Sequence, residues 1–128
     1  MPRAIALYKI LIIDRNPIFG ATLAGLLGRA GYQVEVANQL ADGLDHYRLN
    51  APDLVLLGVE VDDPAPFVAA SRLFDNTKVI AFLSRQRRSS DDLQEVLQAL
   101  KGCPVFYKPF RTEDVLAAIA AELVPHET

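Results

Sequence analysis

The chain holds a single cysteine, Cys103, which excludes an internal disulfide and fits a reducing cytoplasm. It has no apolar run approaching the ~18 residues that a membrane-spanning helix requires. The opening Met1-Pro2-Arg3-Ala4-Ile5-Ala6-Leu7 lacks the long apolar core of a cleavable signal. Positive charge is not in excess: 13 Lys and Arg stand against 16 Asp and Glu, a net charge of −3, with a pI near 5.3. That balance argues against a general nucleic-acid or polyanion binder. No glycine-rich phosphate loop follows the first apolar run, which counts against a nucleotide-binding Rossmann or P-loop domain. Ser84, Ser89 and Ser90 have no Gly-x-Ser-x-Gly setting, so a hydrolase is unsupported. His46 and His126 lie far apart, with no ligand or base partner in view, and take surface roles. Repeats, low-complexity tracts and internal linkers are missing as well.

What remains is 51% apolar and 23% charged over 128 residues. This suits one globular domain, residues 1–128 with a core of about 8–124, able to bury an interior. The most telling stretch is Pro52-Asp53-Leu54-Val55-Leu56-Leu57-Gly58. Large aliphatic residues in succession, between a Pro-Asp start and a glycine, predict a strand buried on both faces, with helices above and below the sheet. In open α/β sheets chemistry collects beyond the carboxyl ends of the strands, and this strand ends in a residue without a side chain.

Around it, short apolar runs alternate with helix-period segments. Lys9 to Ile13 predicts a first buried strand. Asn16 is placed to cap the helix that follows, with Pro17 at its first position. That helix turns Phe19, Leu23, Leu26, Leu27 and Ala30 inward and stops at Gly31. Gln33 to Ala37 alternates polar and apolar residues, as a strand near a sheet edge does. A weaker helix over Leu40 to Leu49 faces Leu40, Leu44 and Tyr47 inward. Pro64 and Pro66 mark a third helix that buries Phe67, Ala70, Leu73 and Phe74, and Val79 to Leu83 is a fourth strand. After a basic loop, Ser89 or Ser90 caps a fourth helix carrying Leu93, Val96, Leu97 and Leu100 and ended by Gly102. Pro104 to Tyr107 is a fifth strand. Thr112 caps a last helix, with Glu113 and Asp114 in its first turn and Val115, Leu116, Ile119 and Leu123 as its buried stripe. Crossovers of this length suit right-handed βαβ links. The expected architecture is a flavodoxin-like (βα)5 three-layer α/β sandwich, a parallel five-stranded sheet in the order 2-1-3-4-5.

Lys9 to Asp14, Pro52 to Gly58, and Tyr107-Lys108-Pro109-Phe110 ahead of a capped helix together resemble the CheY-like receiver domain of two-component response regulators, over roughly residues 8 to 124. The resemblance implies a bacterial, cytoplasmic signalling module and no enzyme. It also implies an acidic pair after strand one that holds Mg²⁺ and an Asp after strand three that accepts a phosphoryl group. A hydroxyl after strand four and a Lys after strand five then read the phosphate. Matched residue by residue, the acidic pair becomes Asp14 and Arg15, and the acceptor position is Gly58. The hydroxyl position falls on Leu83 or Ser84, and the lysine is Lys108, before Pro109, where the family has a cis bond. The family's switch aromatic would be Val105, and strand alternation points Phe106 to the opposite face.

Counting charges turns these departures into an expectation. Mg²⁺ needs hard oxygen ligands, usually one or two carboxylates among them, and Asp14 alone remains, beside Arg15 and across from Lys108. Two unit charges ~4 Å apart interact by about 4 kcal/mol at an effective dielectric of ~20. Exchanging an acid for Arg reverses a term of that size, so neither Mg²⁺ nor another cofactor is expected. Gly58 offers no nucleophile. The resulting reading is a degenerate pseudo-receiver, a phosphorylation-independent protein-interaction module whose partners include a histidine kinase or an output domain. A homodimer through the face of the fourth helix, fifth strand and fifth helix, from Gln94 to Lys101 and Arg111 to Glu122, belongs to the same reading. One alternative is a sensor for a small anion or nucleotide, using Arg15, Arg85, Arg87, Arg88 and Lys108 as a basic rim. Another is an ordinary phosphorelay receiver with Glu60, Asp62 or Asp63 as a substitute carboxylate. Cys103 reads as a small packed thiol.

Overall fold

In the computed structural model, residues 8–59, 66, 69–70, 74, 77–84, 94, 98 and 103–123 are described. The strands β1 (Lys9–Ile13), β2 (Gln33–Ala37), β3 (Leu54–Val59), β4 (Lys78–Ser84) and β5 (Val105–Lys108) form one sheet in the order β2-β1-β3-β4-β5. Every neighbouring pair is parallel. Helices α1 (Pro17–Arg29), α2 (Leu40–Asn50) and α3 (Thr112–Leu123) complete the described elements. Pro66, Ala69, Ala70, Gln94 and Gln98 carry helical backbone where the third and fourth helices were expected, and the rest of those two segments lies outside the described residues. The flavodoxin-like sandwich expected from the alternation is the one observed.

The burial pattern follows from strand position. Leu54, Val55, Leu56 and Leu57 of β3 are each 0% exposed, because both faces of a mid-sheet strand are covered. One face packs Leu11, Ile13, Val55, Leu57, Ala81 and Leu83 with Leu40, Leu44 and Tyr47 of α2. The other packs Ile10, Ile12, Leu54, Leu56, Ile80 and Phe82 against Leu23 and Leu27 of α1 and Val115, Ile119 and Leu123 of α3. Each such aliphatic side chain contributes about 1.5–3 kcal/mol on burial. At the sheet edge, β2 leaves Gln33 and Glu35 exposed while Val34 and Val36 are half-buried.

The helix ends show which local signals carried through. Asn16 Oδ1 accepts from the backbone N–H groups of Ile18 at 3.0 Å and Phe19 at 3.2 Å, with Pro17 at the first helical position. Gly31 follows α1 at φ 103. Ala30, expected inside, is the exposed C-cap of α1. Ala51 takes φ 44 as the left-handed C-cap of α2, its N–H donating to the Tyr47 carbonyl, which closes the helix end. Limits of three strands shift by a residue: β3 continues through Gly58 to Val59, β4 gains Lys78 and Ser84, and β5 starts after Pro104 and includes Lys108. Thr112 lies inside α3 and is not its cap; the Arg111 carbonyl already accepts from Asp114 at 3.1 Å and Val115 at 3.3 Å. No described helix is long and apolar enough to cross a membrane.

Candidate functional site

Parallel pairing aligns the carboxyl ends of β1, β3, β4 and β5 along one edge of the sheet. Ile13 pairs with Leu57, which places Asp14 next to Gly58. Gly58 pairs with Phe82 and Val59 with Leu83, and Ser84 pairs with Lys108. Residues distant in the chain therefore meet at a single crevice.

Asp14 is its centre, the one buried charged side chain among the described residues, at 4% exposure. Four bonds pin it. Its N–H donates to the Ala37 carbonyl at 3.0 Å, and its own carbonyl accepts from Asn38 Nδ2 at 3.1 Å. In the carboxylate, Oδ1 accepts from the Asn16 N–H at 2.9 Å and Oδ2 from Lys108 Nζ at 2.8 Å. A carboxylate bonded to an ammonium makes a charge-assisted pair, stronger than a neutral hydrogen bond. The lysine is steered from below as well: Nζ stands 3.9 Å from the centroid of the Phe19 ring. Phe19 in turn meets Phe82 and Phe110 edge-on, each at 5.7 Å. Phe106 joins this aromatic group through Phe82 and Phe110. It thus lies on the face opposite Val105 and Tyr107, as alternation requires. The Lys108-Pro109 bond is cis.

Of the residues singled out from the sequence, Asp14, Gly58 and Lys108 converge. Leu83 is wholly buried in the core, while the backbone of Ser84 stands opposite Lys108. Arg15 is exposed. Arg85, Arg87, Arg88, Glu60, Asp62 and Asp63 lie outside the described residues. Within the expected basic rim, Lys108 is paired with the Asp14 carboxylate. Among the described residues Asp14 is the carboxylate at the crevice, both of its oxygens are engaged, and an ammonium sits 2.8 Å from one of them. Among the described residues no three His, Cys, Asp or Glu side chains gather as a metal site would need.

His46 keeps a partly exposed place and has a partner there. Its Nδ1 lies 3.4 Å from Glu35 Oε1, and Asn50 Nδ2 donates to both oxygens of that carboxylate at 2.9 and 3.0 Å. The contact depends on α2 packing beside β2, which linear spacing does not reveal. Cys103 is half-buried against the core, and burial, followed by the nearby Glu122 carboxylate, pushes its thiol above the ordinary range. Sequence reading also missed an apolar groove of about 500 Å³ between α1 and the β5–α3 connection, lined by Phe19, Leu23, Leu26 and Phe110 with Lys108 at its rim. Its signal was the run of uncharged residues from Pro17 to Gly28.

No protein-family model matches the chain. It is 30% identical over 120 residues to an uncharacterized transcriptional regulatory protein, YvcP, of Bacillus subtilis; the match takes in 91% of this chain and 49% of that protein. The chain spans about half or less of the length of the curated relatives it matches. Among solved structures it resembles a CheY-like response regulator receiver domain protein from Methanospirillum hungatei, with a TM-score of 0.74 and 24% identity over 91% of this chain and 94% of that one. It also resembles the chemotaxis protein CheY4 of Vibrio cholerae, with a TM-score of 0.72 and 22% identity over 92% of this chain and 100% of that one. At these identities the likeness is one of fold: the chain has the CheY-like receiver fold.

Proposed function

We propose that the chain is a cytoplasmic receiver-type signalling domain that takes no phosphoryl group and works by binding protein partners. The observation behind this reading is the carboxyl end of β3. Where the resemblance places a phosphoacceptor, Gly58 has no nucleophile, and the carboxylate beside it, Asp14, is committed to Lys108 and the Asn16 N–H. Forming an acyl phosphate needs a free carboxylate oxygen in line with the donor and a cation to offset the developing charge. Gly58 and Asp14 supply no free carboxylate oxygen for that step. A domain held in one state contributes a constant affinity, because switching requires differential binding to two states.

The partners in this reading are a histidine kinase or an output domain. The name of the Bacillus subtilis relative, a transcriptional regulatory protein, fits a receiver joined to an effector. The self-pairing face built on the fourth helix, β5 and α3 stays part of the proposal, with Gln94 and Gln98 exposed on it. The test is incubation with acetyl phosphate and Mg²⁺ followed by intact mass measurement. The expected spectrum is unchanged. A hydroxylamine-labile phosphate adduct on any carboxylate overturns the reading.

A further inference from the structure

The Asp14 carboxylate sits where a side chain on residue 58 would have to go. A β-carbon on Gly58 would run into Asp14 Oδ2, stand 2.9 Å from Asp14 Cγ and 3.3 Å from the Ile13 carbonyl oxygen. The backbone does not ask for glycine here. Gly58 lies inside a regular parallel strand, paired with Phe82, and the described glycine with a positive φ is Gly31. A glycine within a strand weakens it and often marks a close approach by another group. What this one supplies is room.

We infer that Gly58 and Asp14 are a matched pair: the glycine admits the β1 carboxylate into the place of the missing β3 side chain. From there the carboxylate holds Lys108 and ties the β1–α1 turn to the β5–α3 connection as a standing latch. The attachment is two-pronged, since Oδ1 is held by the Asn16 N–H at the start of α1 and Oδ2 by Lys108 at the end of β5. Phe110, two residues beyond Lys108, packs edge-on against Phe19 of α1, so the latch and the ring contact close the same seam. A side chain restored at position 58 does not simply add a group to the crevice. It evicts Asp14 and opens the latch.

This inference rests on the reading of the crevice given under Proposed function, and the two fail separately, because its test involves no phosphate. The experiment is a double-mutant cycle read by urea unfolding. Gly58→Ala is made in the natural chain and in an Asp14→Ala/Lys108→Met background, which has no carboxylate to displace and no stranded charge. The expected result is a rise of about tenfold in the unfolding equilibrium constant when Asp14 is present, within the coupling range of contacting residues. In the background without Asp14 the rise is at least threefold smaller. Should Gly58→Ala prevent folding of the natural chain while the background tolerates it, the pairing is supported still more directly. Rises that agree within threefold in both backgrounds overturn it, since they leave Gly58 a purely backbone or packing role. If the background itself does not fold, the exchange protection of the Asn16 amide decides. It must fall by about tenfold in Gly58→Ala relative to the Leu11 amide, and an unchanged ratio overturns the inference.

Discussion

Replacing Lys108 by Met tests the central pair most directly. Methionine keeps an unbranched apolar stem of similar length against Phe19, so the change removes the ammonium and little else. What it leaves is a carboxylate in a position only 4% exposed that still accepts from the Asn16 N–H. Breaking a buried ion pair from one side costs about 3–5 kcal/mol, because the remaining charge is neither hydrated nor matched. Lys108 is itself 24% exposed, so water gains some access once it is gone, and the cost falls to about 2–3 kcal/mol. Loss of the contact between Nζ and the Phe19 ring, roughly 0.5–1 kcal/mol at a partly solvated site, is contained in that figure. For a domain of this size such a loss lowers Tm by about 6–12 °C. Urea unfolding with linear extrapolation measures it, and an unchanged m-value shows that the fold has been kept. The reasoning also predicts a rescue. Asp14→Asn removes the stranded charge, so Lys108→Met/Asp14→Asn recovers at least half of the loss. A Lys108→Met cost below about 0.5 kcal/mol, or a double variant less stable than Lys108→Met alone, refutes the account.

Two further predictions are independent of the crevice. A β-carbon on Gly43 would meet Ile13 at 2.5 and 2.6 Å, whereas one on Gly25 meets nothing within 4 Å. Gly43→Ala therefore destabilises by about 1 kcal/mol, overpacking outweighing the helix preference of alanine, and Gly25→Ala stabilises by about 0.5–1 kcal/mol; shifts of the same sign in thermal unfolding refute the contrast. Burial and Glu122 keep the Cys103 thiol protonated to higher pH in the folded chain. The thiol's share of stability is thus whole below the unfolded-state value and lost as pH rises through the raised folded value. Because the thiolate is the reactive form, iodoacetamide labels the native protein more slowly at pH 8 than the urea-unfolded chain, and equal rates argue against it.

The strands were legible because their signal is local. Leu54 to Leu57 declare a strand covered on both sides, and the alternation from Gln33 to Ala37 declares an edge. Asn16 and Pro17 announced the start of α1 for the same reason: their chemistry acts within one turn. Limits such as Thr112, Ala30 and Val59 slipped by a residue because the last bond of an element comes from whichever backbone group lies nearby. The contact of His46 with Glu35 stayed hidden because it joins a helix to a neighbouring strand.

The candidate site divides along the same line. Asp14, Gly58 and Lys108 could be named in advance, since strand ends read from the pattern meet at one edge once the sheet is parallel. The expected basic rim counted Lys108 as an available cation, and a tally of charges along a chain has no means of pairing them. By itself the sequence determined which strands are buried, which residues stand at their carboxyl ends, and that residue 58 has no side chain, because periodicity and residue identity are properties of the chain. Only the tertiary structure decided that the empty place is taken by the Asp14 carboxylate and the charge of Lys108 spent on it. That outcome depends on volume and distance between three strands, which exist only after they have packed.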